Sequence, residues 1–334
     1  MSSTQVPVFL HLLADRALRP AAVRLEFSGT AEAAHDALVS LAEQPEFSTL
    51  AAKFPCLVAL KQAEQWSDLT WITLQQAGCK GVDESAVFRS DALLKPVLPA
   101  PALWLEGDWM LAAPAKPNGS QSASRALALK LVQLVVADAD TRDIEDVFRQ
   151  DPTLSYHLLR LVNSLGMGAT RRITSFSQAI LILGRQQLRR WLNLMLFSAR
   201  TDDHRAPMLL ACVTLRARCL ELLAKQAGMD KSDQELAFMA GMFSLLGVLF
   251  GLPLPEVLKP LQVSETLVAA VLRHEGEIGR LLHLVERTEQ RDLPAVSALL
   301  AEVQINAAEF NLINLQACQW MTGIVCENQG AGHE

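Results

Sequence analysis

The sequence predicts a multidomain α+β fold: a small α/β N-terminal domain over residues 1–111, a linker over 112–124, and an all-α domain over 125–328. Three observations predict it. Short strand-like runs alternate with a helical segment ahead of residue 112, the pattern of a small α/β unit. The run AAPAKPNGSQSA, Ala112 to Ala123, collects proline, glycine and serine as a linker does. Beyond Arg125 the apolar residues recur at helical spacing, with no alternating run.

In chain order, VPVFLHLL is the first strand-like run, followed by a turn of helix, and VRLEF (Val23–Phe27) is the second. Thr30 caps a helix over AEAAHDALVSLAEQ, with Glu32 in its first turn, where a carboxylate favours the helix dipole. Cys56–Leu60, Leu69–Leu74 and Lys80–Asp83 are further strand candidates. ALWLEGDWML, Ala102–Leu111, is apolar and places Gly107-Asp108 at a hairpin turn.

The helical part is predicted as 125–138, 141–150, 152–165, 175–184, 185–199, 206–228, 233–250, 255–260, 264–275, 278–290, 294–309 and 311–327. Its most defined segment begins with Asp151 as N-cap and Pro152 at the first helical position. Leu154, Leu158, Leu161, Val162 and Leu165 share one face there, and Gly166 and Gly168 end the helix. Ser175 and Gln178 form a capping box for the next helix, which stops at Gly184. In the third, Leu188, Trp191, Leu192, Met195 and Leu196 oppose Arg185, Arg189 and Asn193. The terminal NQGAGHE reads as disordered.

The 334 residues suffice for two domains and a buried core. A net charge of −6 argues against a general nucleic-acid binder, whose footprint would be basic. The six cysteines form no CxxC pair, sit in apolar runs and follow no signal peptide, so reduced thiols in a cytoplasmic protein are expected. Leu236–Pro255 carries no charge over about the length needed to cross a bilayer. Its glycines, Pro253 and Pro255, and a capping box at Ser232 and Glu235 favour a buried helix over a membrane span.

The runs DPTLSYHLLRLVNS, RRITSFSQAILILGRQQLRRWL and LAFMAGMFSLLGVLFGLPLPEVLKPLQVSETLVAAVLRHEGEIGRLLHLVE resemble, in order, the HDOD domain. That all-helical bacterial signalling domain derives from the HD phosphohydrolase fold. The resemblance covers Arg125 to Glu327 and is nearest to the subgroup in which HDOD follows an EAL domain. Residues 1–111 resemble a truncated, degenerate EAL domain, whose family hydrolyses cyclic di-GMP. The resemblance carries one metal-binding position over, Glu26; His11 stands where that family has an asparagine, and its Asp-Asp pair is absent. One carboxylate cannot hold the hard cations of that chemistry.

The HD reaction needs an adjacent His-Asp pair to ligate metal. In AGMFSLLG the resemblance puts Ser244 and Leu245 at that pair's positions, and leucine cannot be a ligand. His35-Asp36 is a His-Asp pair in the other domain, read as a surface helix. His274 and His283 are separated by the helix-breaking Gly276 and Gly279, and Asp202, Asp203 and His204 read as a polar loop. The charged group left for a ligand or partner is Arg171, Arg172, Arg185, Arg189 and Arg190; guanidinium groups near a helix start suit a phosphate. A solvated or protein-contact face is favoured there over nucleic acid.

The expectation is therefore a non-catalytic bacterial regulatory protein, a pseudoenzyme without catalytic residues, metal or cofactor. It would act on unknown protein partners, signalling proteins among them, through its HDOD domain. Cyclic di-GMP binding is not expected. The alternatives are a cyclic-dinucleotide or nucleic-acid receptor using the Arg171–Arg190 cluster, and a residual metal-dependent phosphohydrolase.

Overall fold

A computed structural model of the chain describes residues 6–27, 31–63, 68–91, 96–112, 119–137, 139–150, 203–261 and 263–330, with positions 187, 190, 192, 194 and 197. Within these the chain is mostly helical with one six-stranded sheet near its N-terminus, an α+β architecture. The predicted helices 152–165 and 175–184 lie outside the described residues.

The elements of the first part are β1 (Val8–Ala14), β2 (Pro20–Phe27), α1 (Ala31–Ala42), α2 (Pro45–Lys53), β3 (Cys56–Ala59), α3 (Leu60–Ala63), α4 (Asp68–Gln76), β4 (Cys79–Val82), β5 (Val87–Arg89) and β6 (Trp104–Glu106). The sheet order is β4-β3-β2-β1-β6-β5. β1 runs antiparallel to β2 and to β6, while β2–β3, β3–β4 and β5–β6 are parallel. Successive residues of a strand face opposite sides. Val8, Leu10, Val23 and Leu25 therefore share a face, and they pack with Leu38, Phe47, Val58 and Leu315 in one buried cluster. His11, Arg24 and Glu26 point the other way; His11 is paired directly with Arg24 and Phe9 with Glu26.

Two strand expectations are corrected. Leu69–Leu74 lies inside α4, where Thr70 and Leu74 are the buried positions; a separation of four selects a helix, not a strand. Gly107-Asp108 makes no hairpin. Its strand β6 pairs in parallel with β5, and a 3₁₀ turn over Trp109–Leu111 follows. Gly107 has φ +111°, and a Cβ there would come within 2.4 Å of the Ser90 carbonyl oxygen, so only glycine fits this exit. The expected helical turn before residue 20 is a tight loop, closed by the Asp15 side chain accepting from Ala17 and Arg19 N–H at 2.8 and 2.9 Å.

The helical part comprises α5 (Gly119–Val136), α6 (Thr141–Gln150), α7 (Ala206–Gln226), α8 (Lys231–Phe243), α9 (Leu246–Phe250), α10 (Leu254–Leu258), α11 (Glu265–Arg273), α12 (Gly276–Glu289), α13 (Leu293–Glu302) and α14 (Ala307–Gly330). The helix α5 begins inside the stretch read as linker, and α14 extends into the tail read as disordered. The predicted 233–250 helix is two helices broken at Ser244–Leu245. Its cap is Asp230, whose carboxylate accepts from Ser232 and Asp233 N–H at 2.8 and 3.0 Å, not Ser232. Lys231–Phe250 is long and apolar enough to cross a membrane but is mostly buried within the helical core. A core helix passes the same test.

Three ties join the sheet to the helices. α14 places Phe310, Ile313, Ala317 and Ile324 in the helical core and Leu315, Cys318, Met321 and Val325 in the sheet's core. Its Asn311, 2% exposed, accepts from Val8 N–H at 2.7 Å and donates to the Val6 carbonyl at 2.9 Å. Arg205, also 2% exposed, donates to the Met110 and Ala112 carbonyls and binds Asp203 at 2.7 Å.

The α7–α8 crossing gives a stability prediction. A Cβ on Gly241 would meet Ala217 Cα at 2.6 Å and N at 2.9 Å, whereas one on Gly323 in α14 meets nothing within 4 Å. Gly241→Ala should cost about 1–3 kcal/mol through forced separation of two packed helices. Gly323→Ala should instead be neutral to stabilising by up to about 1 kcal/mol, since alanine loses less entropy in a helix. Denaturant midpoints of the two variants measure the contrast.

Candidate functional site

A cleft of about 110 Å³ lies where the sheet meets α7, α12 and α14. Leu10, His11 and Leu12 of β1 form one wall, and Leu215, Arg216 and Cys219 of α7 another. β6 and its exit contribute Glu106, Gly107 and Asp108, and Arg89 comes from β5. The α12 end supplies Thr288 and Glu289, the following loop Arg291, and α14 Asn314 and Cys318.

Charge on this wall is organised around Arg291, which leaves the α12 C-terminus with φ +61°. Its guanidinium meets Glu26 at 3.1 Å and also pairs with Glu106. Arg24 reaches Glu106 from the other side at 3.3 Å, and His11 Nε2 lies 3.4 Å from Glu26. The His11 imidazole and then Arg291 hold the Glu26 carboxyl down to about 2. Burial lowers the His11 pKa, with Arg291 and Arg24 adding to the effect against the opposing influence of Glu26. The Arg291 pKa is lowered as well, by burial first and by the neighbouring Arg89 and Arg24. Positive charge in this corner is thus incompletely compensated. Asp108 behaves oppositely: burial, then the nearby Asp91, raises its pKa.

A second buried ion group closes the inner end. Arg216, 5% exposed, donates to Glu289 at 2.9 Å and to Ser244 Oγ at 2.8 Å, with Glu286 at 3.5 Å. Glu286 also meets His274 at 2.8 Å, and the His274 ring stacks on His283 at 4.9 Å between centroids. Ser244 therefore serves as a partner of Arg216, and Leu245 beside it is buried. The thiols of Cys219 and Cys318 are buried and their pKa values raised, that of Cys318 to about 12. Both stay protonated at neutral pH.

Of the arginines singled out from sequence, Arg171, Arg172, Arg185 and Arg189 lie outside the described residues. Arg190 binds Glu221 at 2.8 Å and Glu235 at 2.8 Å and lies over the Phe238 ring at 4.3 Å. Its charge is balanced inside the helical part, away from the cleft. Glu26 is in the charged corner, where His11 joins it. Glu106, Asp108, Arg291 and Arg216 were missed. For Glu106 and Arg216 the signal in the sequence is a charged side chain in an otherwise buried run, WLE and VTLRA. Such groups seldom lie buried without partners. Among the described residues, no group of three or more His, Cys, Asp or Glu is arranged to hold a metal ion.

A family model described as the HDOD domain matches residues 125–291. The chain is 29% identical over 205 residues to the cyclic di-GMP phosphodiesterase CdgJ of Vibrio cholerae serotype O1, covering 61% of this chain and 47% of that protein. It is 25% identical over 192 residues to the uncharacterized protein YuxH of Bacillus subtilis strain 168, covering 57% and 46%. The chain thus spans about half the length of the curated relatives it matches. A solved structure from Shewanella amazonensis SB2B overlaps 60% of this chain and 93% of its own at 14% identity with a TM-score of 0.41, too loose to carry an argument.

The expectation of a non-catalytic protein, a pseudoenzyme, is corrected by the similarity to CdgJ, a phosphodiesterase. Residues from β1, β5, β6 and the α12–α13 loop share one cleft, a juxtaposition that no sequence motif marks.

The lowered His11 pKa makes a pH prediction. The unfolded chain takes up a proton near the ordinary histidine value of 6.5 while the folded chain resists it. Stability contributed by neutral His11 is therefore present above pH 6.5 and is lost as pH falls below it. Glu26, lowered from 4.5 to about 2, adds a second loss between those values. Thermal midpoints should fall from pH 7 to pH 5 in the native protein, and His11→Gln should flatten that slope.

Proposed function

The chain belongs to the HDOD-domain family, and from that premise we propose that it hydrolyses phosphodiester bonds of cyclic dinucleotides of the cyclic di-GMP class in the cleft between sheet and helices. The substrate class comes from the resemblance to CdgJ. One observation of the fold carries the site: the same cleft holds an uncharged imidazole beside an ionised carboxylate, and a carboxyl whose pKa is raised. Two titratable groups pushed in opposite directions are what acid–base division of labour requires.

In this reading Glu26 orients His11 through Nε2, leaving Nδ1 as the acceptor that takes a proton from the attacking water. Arg89 at the rim, backed by the under-compensated Arg291, attracts the phosphodiester and offsets charge as the water oxygen bonds to phosphorus. The proton that His11 takes from the water balances the one that the departing ribose oxygen gains, and Asp108, whose pKa is raised, lines the same cleft to relay it. Water and the diester are consumed; a phosphomonoester and an alcohol are formed. The described residues do not fit a bound metal ion, and no step is assigned to one.

Incubation of the full chain with cyclic di-GMP, with and without magnesium or manganese, and chromatography of the linear product test the reading. His11→Gln and Asp108→Asn should each lower kcat by about 10²–10⁴-fold. Absence of product under every condition, from protein that is folded by circular dichroism, would overturn it.

A further inference from the structure

Among the described residues, a short stretch of β1 edge at the inner end of the cleft is covered by no other strand. We infer that this edge and Asn314 bind a row of ordered water, and that Asn314 is a positioning residue for the water that attacks phosphorus. The positioning role rests on the phosphodiester reading.

In an antiparallel pair the N–H and C=O of one residue point to the same side, and the sides alternate along the strand. Leu12 opposes Val23, whose N–H goes to the Pro55 carbonyl at 3.0 Å, on the side away from β1. Leu12 therefore turns its own N–H and C=O away from β2. Val8 has the same sense, giving its N–H to Asn311, and the register is unbroken from Val8 to Leu13, so Leu10 follows. On that outer side β6 pairs with β1 at Ala14↔Leu105. It then turns off at Gly107, with φ +111°, the residue that would next face Leu12. Leu10 and Leu12 both line the cleft, so their main-chain groups open into it and need partners there.

Asn311 of α14 serves this edge at Val8 and Val6, and Asn314 follows it at the i+3 spacing of one helix face. Asn314 lines the cleft, is 7% exposed, and its Nδ2 has no partner among the described residues. A buried amide donor left unpaired is costly. Thr288 adds hydroxyl lone pairs, since its hydrogen goes to the Leu284 carbonyl at 2.8 Å. An anion would be set against the outward carbonyls of Leu10 and Leu12, whereas water both donates and accepts and satisfies the whole set. The open space, about 110 Å³, is several times the roughly 15 Å³ that one buried water needs. A water held through its oxygen by Nδ2 keeps its hydrogens for acceptors, and His11, between Leu10 and Leu12 in sequence, lines the same cleft. The attacking water is drawn from this row: its oxygen bonds to phosphorus while the proton it loses passes to His11.

A crystal structure of the native chain that shows ordered water tests the site, and turnover of cyclic di-GMP tests the role. Water is expected within about 3.2 Å of Asn314 Nδ2 and of the Leu12 nitrogen. A dry site, or an Nδ2 bonded to a protein atom, overturns the inference whatever the turnover. Asn314→Leu should lower kcat by about tenfold to a hundredfold with KM unchanged, as a displaced nucleophile does. Asn314→Ala, which cannot overfill the site, should do the same and decides the case in which the leucine variant fails to fold. Asn314→Ser, close to alanine in size but with a hydroxyl donor, should restore most of kcat, which a packing role would not allow. Unchanged kcat in the leucine and alanine variants overturns the inference and keeps the hydrolase. Absence of native turnover with the water in place removes the hydrolase, and the positioning role with it.

Discussion

The architecture depends on one helix being buried on two sides. α14 gives one stripe of side chains to the helical core and another to the core beneath the sheet, so it has little surface left for solvent. A helix that is apolar all round is stable only where protein surrounds it. Its Asn311 adds a directional constraint, since one amide both accepts from and donates to the backbone entering β1. That pairing fixes the height of β1 against the helices. β2 and β6 hydrogen-bond to β1, so their charged side chains are set at the same time.

The seam so created mixes burial with charge. Five ionisable groups, His11, Arg24, Glu26, Glu106 and Arg291, meet there because strands β1, β2 and β6 present their second faces to the loop after α12, and Asp108 stands at the exit of β6. Taking such groups from water costs several kcal/mol each unless they are paired. Nearly all are paired, but the pairing is uneven: Arg291 serves two carboxylates and still has its charge disfavoured, while Asp108 is held toward its neutral form. An arrangement optimised for stability alone would match charges more evenly. Uneven compensation around a cavity is the electrostatic condition that a charged ligand resolves.

Much of the fold is legible in the sequence because helical periodicity is a local property. α6, α7, α11 and α12 follow their apolar spacing closely, and β1, β2 and β3 follow their branched and alternating residues. The failures are equally physical. Leu69–Leu74 is apolar enough for a strand, and only its packing reveals which positions are inside. Ser232 resembles a cap, but Asp230 is placed to accept two N–H groups. β5 has three residues, too few for any pattern. The site was the least legible part. His11 and Glu26 are fifteen positions apart, and Arg291 lies far from both; what joins them is strand register and the turn after α12, neither of which leaves a motif. Ser244 and Leu245, by contrast, stand where a motif points, and in the structure Ser244 accepts a hydrogen bond from Arg216 while Leu245 is buried.

The tie between Asn311 and Val8 spans 303 positions of sequence. During synthesis the strands emerge well before the helix that covers their apolar face. Closure of so long a loop is entropically expensive and slows the gain of native contacts. Until then the apolar face of β1 and β2 is uncovered, the state from which strands pair with other chains. Chain order therefore separates β1 and β2 from α14 in time as well as in sequence, and the core beneath the sheet closes only once α14 has been made.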